Sequence, residues 1–217
     1  MAPGLDAAWD CATGNGQAAL GLARHFAHVI ATDASEAQIA QATPHPRVTY
    51  HVAPAEASGL ADRSVDLVTA AQAVHWFDRP RFWAEARRVL QPRGLVAVWT
   101  YRLSSIAAEP DAIVRRFYQD TVGPFWPAER KLTEEHFRTI EFPFNEFAVP
   151  EFTIEQPLTL DDVAGYIRTW SATRGFVRQH GRDPVEDLAA ELALVWGDPR
   201  TPRLARWPVA VRAGRTS

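Results

Sequence analysis

A single cysteine, Cys11, is all that the 217-residue chain contains. No internal disulfide can form, and a reducing compartment, the cytoplasm, is the expected setting. The chain has no run of about 18 apolar residues and no basic head leading a shorter one, so its pattern offers neither a membrane span nor a secretory leader. It lacks an excess of either charge: 23 Lys plus Arg face 26 Asp plus Glu, a formal net charge of -3. That balance gives no electrostatic footprint for a nucleic acid as the main partner. No zinc-ligand spacing is visible around His136 or His180, so no metal site is expected. No internal repeat or low-complexity tract occurs.

What is present suits a folded enzyme-sized domain. Hydrophobic residues make up 47% of the chain, and eight of its residues are tryptophan. Aromatics fill cores, and they also line pockets for flat or apolar ligands.

The first hundred residues alternate between strand and helix patterns. Strands are expected at Leu5–Asp10, His28–Asp33, Val48–His51, Val65–Ala70 and Leu95–Thr100. Helices are expected over Gln17–His25, over Ser35–Ala42 with Ser35 as cap, and from Pro80 to Leu90, where QPRG (Gln91–Gly94) ends the helix. Apolar strands alternating with helices predict an α/β fold, a doubly wound and mostly parallel sheet covered on both faces. Ligands then belong at the carboxyl ends of the strands.

Beyond Arg102 the pattern changes. Residues 102–139 are aromatic-rich and read as a lid or acceptor region after a core of residues 1–101. Residues 140–217 read as the completion of the sheet with helices facing the acceptor. Helices are expected over Pro110–Asp120, Leu160–Arg178 and Pro184–Trp196, strand-like alternation over Ile140–Ile154, and a last strand over Trp207–Gly214.

The stretch AWDCATGNGQAAL, Ala8 to Leu20, carries the chemistry. It places Asp10, Gly14 and Gly16 between a strand and a helix. Glycine permits backbone angles and close approaches that side chains forbid, and a loop opening into a helix offers N–H groups to a ligand. The second strand ends at Asp33, 17 residues beyond Gly16. A carboxylate there can accept hydrogen bonds from both hydroxyls of a ribose. Together they point to an adenosine-type ligand on an α/β sheet, and leave a nicotinamide cofactor and S-adenosylmethionine both open. No GK[ST] follows the glycines, which disfavours a phosphate-gripping loop.

Several pieces in fixed order carry a resemblance: WDCATGNGQAA, VIATDAS, VAPAEASGLADRSVDLVTAAQAVHWFD, RVLQPRGLVAVW, and the later LTLDDVAGYIRTWSATRG and WPVAVRAGR. In these the chain resembles the class I S-adenosylmethionine-dependent methyltransferases, in their small-molecule, trans-aconitate-methyltransferase-like (type 11) branch. The resemblance implies a Rossmann-like sheet of the seven-stranded type, S-adenosyl-L-methionine as cofactor and a small-molecule acceptor. Carried over residue by residue, Asp10, Ala12, Gly14 and Gly16 form the loop near the methionine portion. Asp33 binds the ribose with Ala34 beside it, Ala55 and Glu56 lie around adenine, and Ala71 and Gln72 lie near the sulfonium and methyl. Ala12 departs from the glycine that many members have. Relatives usually carry one or two helices before the first strand, whereas this chain begins almost on it. The expectation is then a truncated or misassigned start, or a homodimer whose second subunit covers the cofactor.

Methyl transfer from a sulfonium requires alignment and exclusion of water, and a base only when the acceptor arrives protonated. His75 in AVHWFD is the candidate base, its other reading being a helix cap or packing. Tyr101 could orient the acceptor or simply pack. Arg174, four residues after Trp170, could grip an acceptor carboxylate or be a solvated surface arginine. These readings favour methyl transfer to a carboxylate or phenolic oxygen. A non-catalytic methyltransferase-like binding protein and a nicotinamide-dependent oxidoreductase are the alternatives; the latter would call for GxGxxG and Tyr-x-x-x-Lys, and neither occurs.

Overall fold

The computed structural model describes residues 2–216, which form two compact units. The first contains the chain up to Thr100, Leu132–Pro150, and Ala210 onward; the second contains Tyr101–Lys131 and Glu151–Val209.

In the first unit, β1 (Ala7–Cys11), β2 (His28–Asp33), β3 (Val48–Val52), β4 (Val65–Ala71) and β5 (Leu90–Tyr101) alternate with α1 (Gln17–Leu22), α2 (Glu36–Ile39) and α3 (Arg79–Val89). The strand order is β3-β2-β1-β4-β5, parallel at each junction. β8 (Arg203–Arg215) and β6 (Asn145–Phe147), antiparallel to each other, extend that order. The order reverses direction between β1 and β4, which is where an open α/β sheet forms its ligand crevice.

Strand alternation explains why both faces of this sheet are covered. Successive side chains of β1 enter different cores. Ala8 joins Ala19 and Ala23, at and just beyond α1, with Val29 and Leu67. Trp9 joins Phe82, Trp83, Ala86 and Val89 of α3 with Val68 and Val96. β4 splits the same way, Leu67 to one core and Val68 to the other. A period of two with apolar residues on both phases yields a strand buried on both faces, and β4 is buried from Val65 through Ala70. Trp9 is fully buried; its indole N–H donates to the Thr32 hydroxyl at 2.9 Å and its ring meets Phe82 edge-on.

The loop after β3 is locked to α3 from two sides. Glu56 accepts the backbone N–H of Asp78, the N-cap of α3, at 2.9 Å. Buried Glu85 accepts both the backbone N–H and the hydroxyl of Ser58. Hydrogen bonds from Arg88 hold the Glu85 carboxyl well below the usual carboxylate range.

The second unit is helical: α4 (Ala108–Arg116), α6 (Leu160–Arg168), α7 (Ser171–His180) and α8 (Val185–Trp196) pack with β7 (Phe152–Leu158), which pairs antiparallel with Arg203–Val209. The short helix α5 (Arg130–Glu134) straddles a junction between the units in sequence. The core of this unit gathers Phe117, Ile167, Leu192, Trp196 and Trp207.

Two expectations are corrected. QPRG does not separate helix from strand: α3 runs straight into β5, which starts at Leu90 and absorbs the four residues through a register shift opposite Val65–Leu67. The left-handed Arg93 (φ 62°) makes that irregularity. The single helix over Leu160–Arg178 is two, parted at Trp170, whose extended backbone (ψ 138°) begins α7. The Thr169 hydroxyl closes α6 by donating to the Tyr166 carbonyl at 2.6 Å, the local bond through which threonine competes with the helix ladder.

Gly16 tests the loop's backbone demands. Its φ is 91°, and a Cβ added there would lie 2.3 Å from the Tyr50 hydroxyl oxygen. We expect Gly16→Ala to lower stability by about 2–4 kcal/mol, from left-handed strain plus overpacking. Gly21→Ala, inside α1 with open space around its Cβ position, should instead raise it by about 0.4–1 kcal/mol. Chemical denaturation followed by circular dichroism measures both; equal effects would refute the assignment of the strain to Gly16.

Candidate functional site

The carboxyl ends of β1, β2 and β4 lie side by side: Cys11 is in register with Thr32 of β2 and with Ala70 of β4. The loop leaving β1 has left-handed backbone at Ala12 (φ 53°), Gly14 (φ 60°) and Gly16 (φ 91°). For Ala12 this conformation costs on the order of 1 kcal/mol, whereas glycine adopts it freely. The strain is held by neighbours: the Thr13 N–H donates to the Thr32 carbonyl at 2.9 Å, and the Gly16 N–H to the Thr13 carbonyl at 3.0 Å.

Asp33 ties this loop to the next. Its Oδ2 accepts the Gly14 N–H and its Oδ1 accepts the Ser35 N–H, each at 2.9 Å. Asp33 is half-buried and Ala34 beside it is exposed. An ionised carboxylate has about four lone-pair sites, so two remain for ligand hydroxyls.

Asp10 occupies a different layer. It is 1% exposed, and its two oxygens accept the hydroxyls of Thr13 (2.6 Å) and Thr69 (2.7 Å). Burial pushes its carboxyl up to about 6, against the two hydroxyl bonds and with a smaller push from Asp33. Asp10 thus braces the loop from beneath. Cys11, also buried, has its thiol pushed well up by burial and then by the charges of Asp10, Glu56 and Asp33.

The remaining predicted residues take varied places. Ala55 is buried in the α3-side core, and Glu56 is half-buried and caps α3 as described. Ala71 ends β4. Gln72 follows with a left-handed backbone (φ 54°); its N–H donates to the Trp99 carbonyl and its side-chain oxygen accepts the Thr100 hydroxyl at 2.8 Å. His75, in a short 3-10 turn Val74–Trp76, is 6% exposed, with its ring 4.7 Å from that of Trp76 and 6.1 Å from that of Phe137. Trp76 itself is exposed. Tyr101 and Arg174 belong to the second unit. Tyr101 is half-buried against that unit's core; Arg174 is exposed on α7 and donates to the Thr169 carbonyl at 2.8 Å.

Sequence reasoning missed Thr13, Thr69 and Tyr50. Thr13 and Thr69 hold Asp10; Tyr50 packs on Gly16 and donates to the Thr43 carbonyl at 3.0 Å. The signal for Thr69 was present, as a hydroxyl among buried apolar residues in VDLVTA has to find an acceptor. Among the described residues, no cluster of three or more His, Cys, Asp or Glu could hold a metal.

These residues fit an adenosylmethionine ligand. The half-buried Asp33 carboxylate has acceptor capacity left. A Cβ at Gly14 would meet only the Gln38 side-chain oxygen, at 3.8 Å, so the loop leaves room at its tip.

Comparison with known proteins agrees. A family model described as a methyltransferase domain matches residues 9–98. A Dictyostelium discoideum protein with a provisional methyltransferase name is 33% identical over 190 residues, 86% of this chain and 72% of that protein. A Saccharomyces cerevisiae protein provisionally named an S-adenosylmethionine-dependent methyltransferase is 23% identical over 238 residues, covering 86% of this chain and 81% of its own length. A solved structure from Anaeromyxobacter dehalogenans, provisionally described as a type II methyltransferase, shares 48% identity at a TM-score of 0.91, over 99% of this chain and 91% of that one. The chain belongs to the class I S-adenosylmethionine-dependent methyltransferases.

Asp10 gives a pH test. An acid whose folded pKa exceeds its unfolded value takes up a proton on folding, so stability falls as pH rises through the interval between the two. For Asp10 that interval runs from 3.8 to about 6, and the penalty above it is on the order of 3 kcal/mol. Asparagine can accept from one threonine and donate to the other. Asp10→Asn should therefore gain on the parent as pH rises through this window and hold a constant margin above it, in urea denaturation across the range. A margin independent of pH would refute the buried acid.

Proposed function

We propose that this chain transfers the methyl group of S-adenosylmethionine to an oxygen of a small molecule, a carboxylate or a phenolic or other hydroxyl. The observation that carries the cofactor half is the Asp33 carboxylate, held in place by backbone N–H groups of two adjacent βα turns while keeping acceptor capacity.

In this reading Asp33 accepts both ribose hydroxyls, and the backbone from Ala12 to Gly16 lies along the methionine portion. Asp10 sets the loop's height through Thr13 and Thr69. Ala71 and Gln72 border the methyl end, with Gln72 held by Thr100. S-adenosylmethionine, when bound, supplies a methyl group already activated by positive sulfur. The chain's remaining tasks are to orient the acceptor, exclude water and, for a protonated acceptor, remove a proton.

His75 is the proposed base. Imidazole ordinarily titrates near neutrality, the range in which a base can take a phenolic proton. Its place just past β4 and its apolar, aromatic surroundings support the role. Tyr101 and Arg174 are the proposed acceptor-orienting residues, and the planar guanidinium of Arg174 suits a carboxylate.

Asp33→Ala should weaken S-adenosylmethionine binding at least tenfold in calorimetry, from the loss of charge-assisted hydrogen bonds; unchanged affinity would remove Asp33 from the cofactor site. His75→Gln should keep cofactor affinity within about twofold. With a phenolic acceptor found by profiling against labelled cofactor, its turnover should fall about a hundredfold and lose the rise with pH that a titrating base imposes. Full turnover at every pH would exclude the base.

A further inference from the structure

The first unit holds a cavity-forming surface on α3. Arg79, Trp83 and Arg87 are four residues apart, so one face of the helix presents guanidinium, indole and guanidinium in a row. They line a cavity of about 470 Å³ whose opposite wall includes Leu132, Ile140 and Glu141. That volume lies within the range of small-molecule sites.

Two polar groups in this lining have no protein partner. The indole N–H of Trp83 is buried, on a side chain only 5% exposed, and meets no acceptor. Arg79, half-buried, has no hydrogen bond or ion pair among the described residues. Arg87 is engaged differently, donating to the Pro143 carbonyl and lying over the Phe144 ring. Glu141 is exposed and likewise without an ion-pair partner among the described residues. Two guanidinium charges against one carboxylate leave the cavity one positive charge in excess.

We propose that this cavity binds a small monocarboxylate with an apolar body. The carboxylate pairs with Arg79, and the body lies against the exposed edge of Trp83, Leu132 and Ile140. The single excess charge selects a monoanion, since a second carboxylate would meet Glu141.

Octanoate, neutral octanamide and the dianion suberate are the probes, titrated into the whole protein by calorimetry. Octanoate should bind at least tenfold more tightly than octanamide and than suberate. Arg79→Met should weaken octanoate at least tenfold. Glu141→Gln, a change at an exposed position, should tighten octanoate and raise suberate affinity towards it. This variant decides the matter should Arg79→Met fail to fold. No binding of octanoate, equal affinity for octanoate and octanamide, or affinities unmoved by Arg79→Met or by Glu141→Gln would overturn the proposal. S-adenosylmethionine affinity, measured on the same samples, should stay within twofold throughout, which separates this site from the cofactor's.

Discussion

The hydrogen bond from the Gly14 N–H to the Asp33 carboxylate joins two βα turns that lie 19 residues apart in sequence. Most features of the carboxyl edge depend on it. The glycine loop has three left-handed residues, and such a backbone keeps one shape only when its polar groups are held. Asp33 holds it from the side, Thr32 from behind and Asp10 from below through Thr13. The same carboxylate fixes its own turn through Ser35, whose hydroxyl in turn caps α2. One acidic side chain therefore sets the relative position of the two turns at this edge of the sheet.

Much of this was legible in the residues because the signals were local. His28–Asp33 reads as a strand and is one with those bounds, since alternating burial, a glycine-free run and a following serine cap all agree. The pairing of a glycine turn with an acid at the end of the next strand was likewise visible, because both features sit at fixed places in a βα repeat. What escaped were relations between distant residues. Nothing near Asp10 announces that Thr69, on another strand, will share its carboxylate, or that the residue is 1% exposed. QPRG looks like a stop signal because Pro and Gly usually are. Here a strand begins before the tetrapeptide and resumes its pairing after it, with Arg93 taking the left-handed angle. The break at Trp170 was hidden for the opposite reason: the helical periodicity continues across it, and only the Thr169 hydroxyl marks the end of a turn.

The family and the chemistry stand at different depths. The fold, the loop and the carboxylate are shared properties of a cofactor-binding sheet, so they identify a class of reaction. Acceptor choice rests on individual side chains placed on such a scaffold, and a shared fold does not specify them. This is why a sequence can settle the donor of a methyl group long before it settles the recipient.

Cys11 gives the molecule a reporter that no engineering has to add. It is the chain's only thiol, it ends β1, and it lies at 1% exposure beneath the loop. Its thiol is held protonated, so it is a poor nucleophile even for a reagent small enough to approach. A thiol-directed dye can then react only after β1 has parted from its neighbours. The rate of labelling becomes a clock for the opening of the sheet's centre, and any ligand that settles on the carboxyl edge will slow it.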